Sequence, residues 1–536
     1  MAADQRMDQY LEDRLRRLNE IGVALSVERD LHALLDRILL EARRFTHADA
    51  GTLYLRSGDE LIFENAQNDT LRIFTGGSQN KADVPPVPIT RDSVSGYATV
   101  TGRPLNIADV YDEDGEFRFE GPKQYDQMTG YRTTSMLVVP MKDHEDQVIG
   151  VLQLINATQP DSGQVIPFTA EDEALLQSLA SQAGVAITNV RLIEDTERLF
   201  ESFLQVMATA IDERSPYTGG HIRRVAEVTM HVAEAVNACQ EGPLASVSLT
   251  KEELNELRIA AWMHDIGKIT TPEWVVDKPT KLTTIADRIE LVRTRFQLLR
   301  KSVEAEMLRR EAALATSGEQ MQVSERAEYE RRMEQVDEDL AFLERVNSPT
   351  EFMEDSDLER LEAIAVRDYV PEVQSDGPTL SENELFNLSI RKGNLTNEEF
   401  QKIKDHASMT LKMLGQIPFT RKLRRVPEIA GAHHEKLDGS GYPQGLSADQ
   451  ISLQARILAL IDIFESLSAD DRPYRAKPMS RELVLRILNE EVDYLHLDGD
   501  LLELFVRNEL YTRLDELKSQ EQKQTGDGAA GSPADS

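Results

Sequence analysis

Seven ionisable residues, several of them set into apolar helical sequence, constrain this chain more than any other feature. Asp462 interrupts the run ARILALIDIFESL, and His264 and Asp265 close the apolar stretch AAWMHDIGKI ahead of Gly267. His406 lies in the amphipathic segment FQKIKDHASMTLKML, and His433 and His434 stand side by side in IAGAHHEKLDGSGYP. His221 opens a helix after the Gly-Gly turn of SPYTGGH. A carboxylate taken out of water without a partner is very costly, so the fold must bring a cation or strong donors to Asp462. Imidazoles with carboxylates are a usual ligand set for first-row metals such as iron and manganese. An Asp beside a His can offer two oxygens to two cations. Paired metals activate water and stabilise the charge developing on a phosphodiester. One helical histidine is more often structural than ligating; the ordered set carries the inference.

In this order, on helices, the residues resemble the HD superfamily of metal-dependent phosphohydrolases. HHEKLDGSGYPQGL holds the complete HHExxDGxGYP text of the HD-GYP subgroup, with HDIGKI before it and DRPYR after it. The resemblance covers roughly residues 200–282 and 391–500. It implies an all-α domain that hydrolyses cyclic di-GMP to linear pGpG, or on to GMP, with two or three divalent ions, iron or manganese. Carried over by position, His221, His264, Asp265, His406, His433, His434 and Asp462 would be the metal ligands, with Asp265 as the bridge. Asp265 and Lys268 would be the catalytic pair, Lys268 neutralising a phosphate oxygen or helping the leaving group. Lys268, Gly441, Tyr442, Pro443, Arg472 and Arg475 would meet substrate. The loop glycines allow close approach, Pro443 fixes the turn, and arginine suits both phosphate and guanine edges.

Two departures matter. ESLSADDRPYR carries one residue more than the family's spacing. Members with a third ion have a Glu four residues before the first His, where this chain has Tyr217. The resemblance then implies a two-ion site and pGpG as the main product. Two other readings stand beside the enzyme. One is a catalytically weak member acting as a cyclic di-GMP receptor, although no ligand and none of the loop text is lost here. The other is an HD phosphohydrolase for another nucleotide; the full loop argues against a nucleoside triphosphate and says little about a mixed-base cyclic dinucleotide.

The rest of the chain reads as a multidomain protein, since 536 residues exceed one core. Residues 1–16 form a helical lead and 17–195 an α+β domain. Its helix runs roughly from Leu15 to Phe45, ahead of the strands GTLYLR, ELIFENAQ, SMLVVPMK and QVIGVLQLINA. A long helix follows, capped at Thr-Ala-Glu-Asp near Thr169. The order resembles a GAF sensor domain with an antiparallel sheet. Asn156, Phe168 and Asp172 fall where a cyclic-nucleotide-binding subgroup has ligand residues, which implies an unidentified small-molecule ligand, although Ala157 replaces that motif's lysine and packing explains the residues as well. With no cysteine in this half, a thioether-linked bilin is excluded. Leu175, Leu179, Ala183, Ile187 and Leu192 suit a parallel homodimer seam, the alternative being packing on the helix's own domain.

The catalytic domain is expected at 196–282 and 391–515, split by a helical, coiled-coil-like insertion at 283–390. Ile285, Ile289, Val292, Phe296, Leu299 and Val303, then Tyr329, Met333, Val336, Leu340 and Leu343, describe a hairpin turning at Thr316-Ser317-Gly318. Residues 516–536, rich in Gln, Gly, Ala, Ser and Asp, suggest a disordered tail. A formal charge of −34 disfavours a nucleic acid polymer or an anionic membrane as partner. One cysteine, Cys239, and no long apolar run point to a reducing, cytoplasmic setting.

Overall fold

The computed structural model describes residues 16, 19–76, 85–112, 117–213, 220–349, 352–370, 378–470 and 478–529. The chain divides into two compact units, Met1–Phe200 and Glu201–Ser536. The expected lead at 1–16 lies outside the described residues except for Arg16.

The first unit is α+β, as its sequence predicts. The single helix expected from Leu15 to Phe45 is two, α1 (residues 19–27) and α2 (Leu31–Thr46). Asp30 separates them by accepting a hydrogen bond from the Ala33 amide at 2.9 Å, a cap that starts a new helix. Then come β1 (Ala48–Ser57), β2 (Glu60–Asn68), β3 (Ile73–Thr75), β4 (Val87–Pro88), α3 (Val94–Thr101), β5 (Leu105–Ile107), α4 (Glu120–Thr129), β6 (Met136–Lys142), β7 (Val148–Thr158) and β8 (Val165–Ile166). The sheet is antiparallel in the order β3-β2-β1-β7-β6-β5, with β4 on β2 and β8 on β7. Alternation along the strands feeds two cores. Leu137, Val139, Leu152 and Leu154 pack with α1 and α2, while Met136, Val138, Val151 and Ile155 pack on the other face with Val94 and Ala98 of α3.

The long helix is α5 (Ala170–Asp212). Thr169 and Asp172 cap it reciprocally, each amide donating to the other's side chain. The expected dimer seam is corrected here: Leu179, Ala183 and Ile187 lie inside the first unit's own core. A second stripe on α5 faces outward instead, with Val185, Leu192, Leu199 and Val206 exposed at seven-residue spacing and Phe203 between the last two. Sequence periodicity sees both stripes and cannot tell which one the domain uses.

The second unit is helical. It opens with α6 (His221–Ala238), α7 (Lys251–Met263), a 3₁₀ turn (Ile266–Thr270) and α8 (Glu273–Val276). The segment expected as an insertion holds α9 (Ile289–Thr316), α10 (Val323–Asn347), α11 (Asp355–Val366) and α12 (Glu382–Leu388). After it come α13 (Asn397–Leu414), α14 (Val426–Gly431), α15 (Leu453–Ser468), α16 (Arg481–Asp493), α17 (Gly499–Arg507) and α18 (Thr512–Ala529).

α9 and α10 form the antiparallel hairpin, laced by Arg293–Glu344, Arg300–Asp337 and Arg310–Glu325. Ile285 is not part of its seam, since it precedes α9 and is 98% exposed. The insertion is also more than an arm, because α11 and α12 close a core of its own around Phe296, Leu343, Leu361 and Leu388. The expectation of a disordered tail at 516–536 fails as far as Ala529, where α18 ends. Leu514 and Leu517, three residues apart on α18, are buried, a pattern hidden by polar composition. No helix among the described residues is long and apolar enough to cross a membrane.

Candidate metal centre

Five helices bring the seven expected ligands together. His221 is the first residue of α6, His264 and Asp265 follow α7, His406 sits in α13, His433 and His434 follow α14, and Asp462 is in α15. They form two clusters able to hold an ion, His221–His264–Asp462 and His406–His433–His434. Asp265 lies between the clusters. Its Oδ2 is 3.4 Å from His221 Nε2 and 3.3 Å from His264 Nε2. Its Oδ1 is 3.4 Å from His406 Nε2 and 3.9 Å from His433 Nε2. Asp462 Oδ1 stands 3.4 Å from His221 Nε2 and 3.6 Å from His264 Nε2.

The imidazoles are oriented from behind. Nδ1 of His264, His406 and His433 each meets the carbonyl three residues back, of Ala261, Ile403 and Ala430, at 2.8, 2.5 and 2.6 Å. A proton held at Nδ1 leaves the Nε2 lone pair for the centre. His221 uses Glu465 Oε2 instead, at 2.5 Å.

This donor set fits a pair of cations. Nε2 of both His221 and His264 is buried and makes no hydrogen bond. Nε2 of His406 and of His433 lie 3.3 Å apart, each with its ring proton already engaged at Nδ1, so two lone pairs face one another. Buried nitrogens so placed are unfavourable without a positive charge among them.

The electrostatics divide the same way. Burial pulls His221 and His264 down, but Glu465 beside His221 and Asp265 beside His264 outweigh it, lifting His221 well above its ordinary value and His264 to about 9. Burial pushes Asp265 and Asp462 up, yet Lys268 with the imidazoles, and His221 with His264, hold the two carboxyls well below the usual carboxylate range. On the other side burial lowers His406, takes His434 to about 4 and, helped by His434 itself, sets His433 well below its ordinary value. One cluster therefore offers neutral nitrogen donors at neutral pH. An ion entering the other must displace protons.

The expected substrate contacts are partly in place. Lys268 Nζ is 2.6 Å from Asp265 Oδ2, an ion pair at the bridge position. The Tyr442 ring lies 4.8 Å from that of His434 and precedes a cis Pro443. Burial, with Asp462 and Asp265 nearby, raises the Tyr442 phenol, which stays protonated. Gly441 is required by space: a Cβ there would lie 2.3 Å from the Lys436 amide nitrogen. Arg472, Arg475 and Tyr217 lie outside the described residues.

The three GAF ligand candidates make structural contacts. Asn156 donates to Tyr131 Oη and the Arg132 carbonyl and accepts from the Thr134 amide, so its amide group is committed. Phe168 is in the core, and Asp172 caps α5.

Sequence reasoning missed several residues. The buried Glu435 accepts from the amides of Gln444 at 2.6 Å and Leu446 at 2.8 Å, tying down the glycine loop. Glu465 orients His221. Lys404 Nζ stands 5.2 Å from the centre of the Tyr442 ring and 4.8 Å from that of Phe400. Glu435 lies within HHE, which was a usable signal; the others are visible only in three dimensions.

Comparison with known proteins agrees with this arrangement. The GAF domain family model matches residues 30–187, and two HD domain models match 218–346 and 375–501. Three curated relatives are from Vibrio cholerae. 3'3'-cGAMP-specific phosphodiesterase 3 is 43% identical over 102 residues, 19% of this chain and 21% of its own. 3'3'-cGAMP-specific phosphodiesterase 1 is 40% identical over 118 residues, 22% of this chain and 26% of its own. A probable cyclic di-GMP phosphodiesterase is 35% identical over 131 residues, 22% of this chain and 28% of its own. The chain spans less than a third of the length of each.

Proposed function

We propose, for a chain that joins a GAF domain to an HD domain, that the second unit is a cyclic dinucleotide phosphodiesterase acting on cyclic di-GMP and releasing linear pGpG. The observation that carries this is the pair of buried clusters with Asp265 between them, one carboxylate oxygen toward each. His221, His264 and Asp462 would hold one divalent ion and His406, His433 and His434 the other, with Asp265 shared. Iron or manganese suits this mixture of imidazole and carboxylate. Such a pair supplies Lewis-acid activation of water and neutralises charge on the phosphodiester.

The remaining work falls to side chains. Lys268 keeps Asp265 ionised and is near enough to meet a phosphate oxygen. Tyr442 gives a protonated phenol and a ring face at the same edge, and Lys404 adds a positive charge beside it. In a chain of formal charge −34, these local cations are what an anionic dinucleotide would meet.

A second reading is 3'3'-cGAMP as substrate, favoured by the names of two of the relatives. We further propose that the first unit acts as the sensor and that the chain pairs with a second copy along the exposed stripe of α5. The deciding assay loads the purified protein with ferrous iron or manganese and follows linear products from cyclic di-GMP and 3'3'-cGAMP by chromatography. No turnover of either, with two ions bound, refutes the enzyme reading. Asp265→Ala should abolish turnover and lower metal content together.

A further inference from the structure

His221 differs from the other oriented imidazoles in one respect. His264, His406 and His433 fix Nδ1 on a carbonyl of the preceding helical turn. His221 is the first residue of α6 and has no such turn behind it. Its Nδ1 is held by Glu465, one turn beyond Asp462 on α15. A carboxylate buried at 1% exposure itself needs countercharge. Arg224, one turn beyond His221 on α6, supplies it: Nε and Nη2 reach Glu465 Oε1 at 2.8 and 2.7 Å. The far side of that guanidinium then meets α18, where Glu521 Oε2 accepts from Arg224 Nη1 at 3.0 Å and Oε1 from Arg223 Nη2 at 2.5 Å.

We propose that the C-terminal helix α18 is a positioning element of the metal centre, with Glu521 acting on His221 through Arg224 and Glu465. Two further contacts place α18 on both ligand-bearing helices. Lys518 Nζ donates to the Ser468 carbonyl at 2.6 Å and pairs with Asp470 at 3.1 Å, gripping the end of α15. At the start of α6, a Cβ on Gly220 would lie 2.8 Å from Glu521 and 2.9 Å from Arg224, so backbone and ion pair are closely fitted. The relay leads to the His221–His264–Asp462 cluster, and the second cluster orients its imidazoles without it. The inference rests on the reading of these clusters as a site for two metal ions.

The test titrates manganese into the full-length protein against a competing chelator and counts bound ions by mass spectrometry. Wild type should hold two equivalents. Glu521→Gln should weaken one of them by about tenfold, the lower end for loss of a group that orients a ligand, and leave the other unchanged. Arg224→Lys keeps the charge but loses the fork and should give the same selective loss. The melting temperature of the metal-free protein separates positioning from general support and should stay within about 2 °C in the Gln variant, less than the loss of about 1 kcal/mol would shift it. Two unchanged equivalents, or both weakened together with a lower melting temperature, would overturn the proposal. Wild type holding no manganese would instead refute the metal-centre reading beneath it.

Discussion

Replacing Gly267 with alanine tests whether the metal centre depends on how closely two chain segments approach. Gly267 lies in the 3₁₀ turn after Asp265, where the backbone of α13 passes. An added Cβ would sit 1.9 Å from the His406 carbonyl oxygen and 2.8 Å from the Thr410 nitrogen. Restoring a tolerable contact of about 3.2 Å requires the turn and α13 to part by about 1.3 Å. That parting strains a relay in which the Gly267 amide donates to Thr410 Oγ1 at 3.1 Å and Thr410 Oγ1 donates to the His264 carbonyl at 2.9 Å. Overpacking costs about 1–3 kcal/mol, and two hydrogen bonds add about 1 kcal/mol each, giving about 3–5 kcal/mol. At roughly 2–4 °C per kcal/mol, the metal-free variant should melt on the order of 10 °C lower. The parting also separates His406 from Asp265, now 3.4 Å apart. A displacement near 1 Å at a reacting centre is worth about a hundredfold in rate. Calorimetry, metal analysis after dialysis and turnover with excess metal measure the three effects. Thr410→Ala, which cuts both bonds of the relay without adding bulk, should show only about 2 kcal/mol of the loss. An alanine variant that melts like wild type and keeps both ions would refute the close-approach argument.

Three other outcomes follow from the same geometry. Glu435→Gln weakens two charge-assisted bonds to the glycine loop, so KM for the dinucleotide should rise by about tenfold, the worth of 1.4 kcal/mol, with metal content retained; an unchanged KM counts against a loop-tying role. Leu192→Glu with Leu199→Glu places charge on the exposed stripe of α5 and should convert a dimer to monomer in sedimentation; a wild type that is already monomeric excludes the pairing. Lys281 is buried at 1% exposure, where desolvation brings its ammonium from 10.5 to about 8. Between those values the unfolded chain binds more protons, so this group makes stability rise with pH and imposes its full penalty below pH 8. Lys281→Met should flatten that rise by on the order of 2 kcal/mol after allowance for screening, read from urea unfolding at pH 8 and pH 10; an equal slope in both proteins contradicts it.

The seven candidate ligands were legible from their order and from the HHExxDGxGYP text, with Asp462 a carboxylate inside an apolar run, and the structure gathers them. The residues behind them were not. Glu465 and Glu521 look like ordinary helix surface in sequence, and only the approach of α15 and α18 to Arg224 gives them a task. In the first unit the four long strands were readable from alternation. β3, β4, β5 and β8 are two or three residues long and give periodicity too little length to register. The α18 misreading has the same root as the α5 seam: composition and period are averages, whereas burial depends on which face meets a neighbour.

The insertion begins and ends almost at one point. The Lys281 amide donates to the Asn347 carbonyl at 3.0 Å, and Lys281 Nζ reaches the Leu388 carbonyl at 3.3 Å. Lys278, just before the insertion, pairs with Glu399 at 2.8 Å, just after it. Chain-closure entropy grows with the length of the loop to be closed, and 141 residues lie between His264 and His406. A segment that folds on its own core and pins its ends together takes its own length out of that loop. The rest of the second unit can thus assemble as if the interruption were a tight turn. Excision at this neck, with a short linker across it, should leave the host domain able to fold, and the same neck is a place where a different module could be grafted.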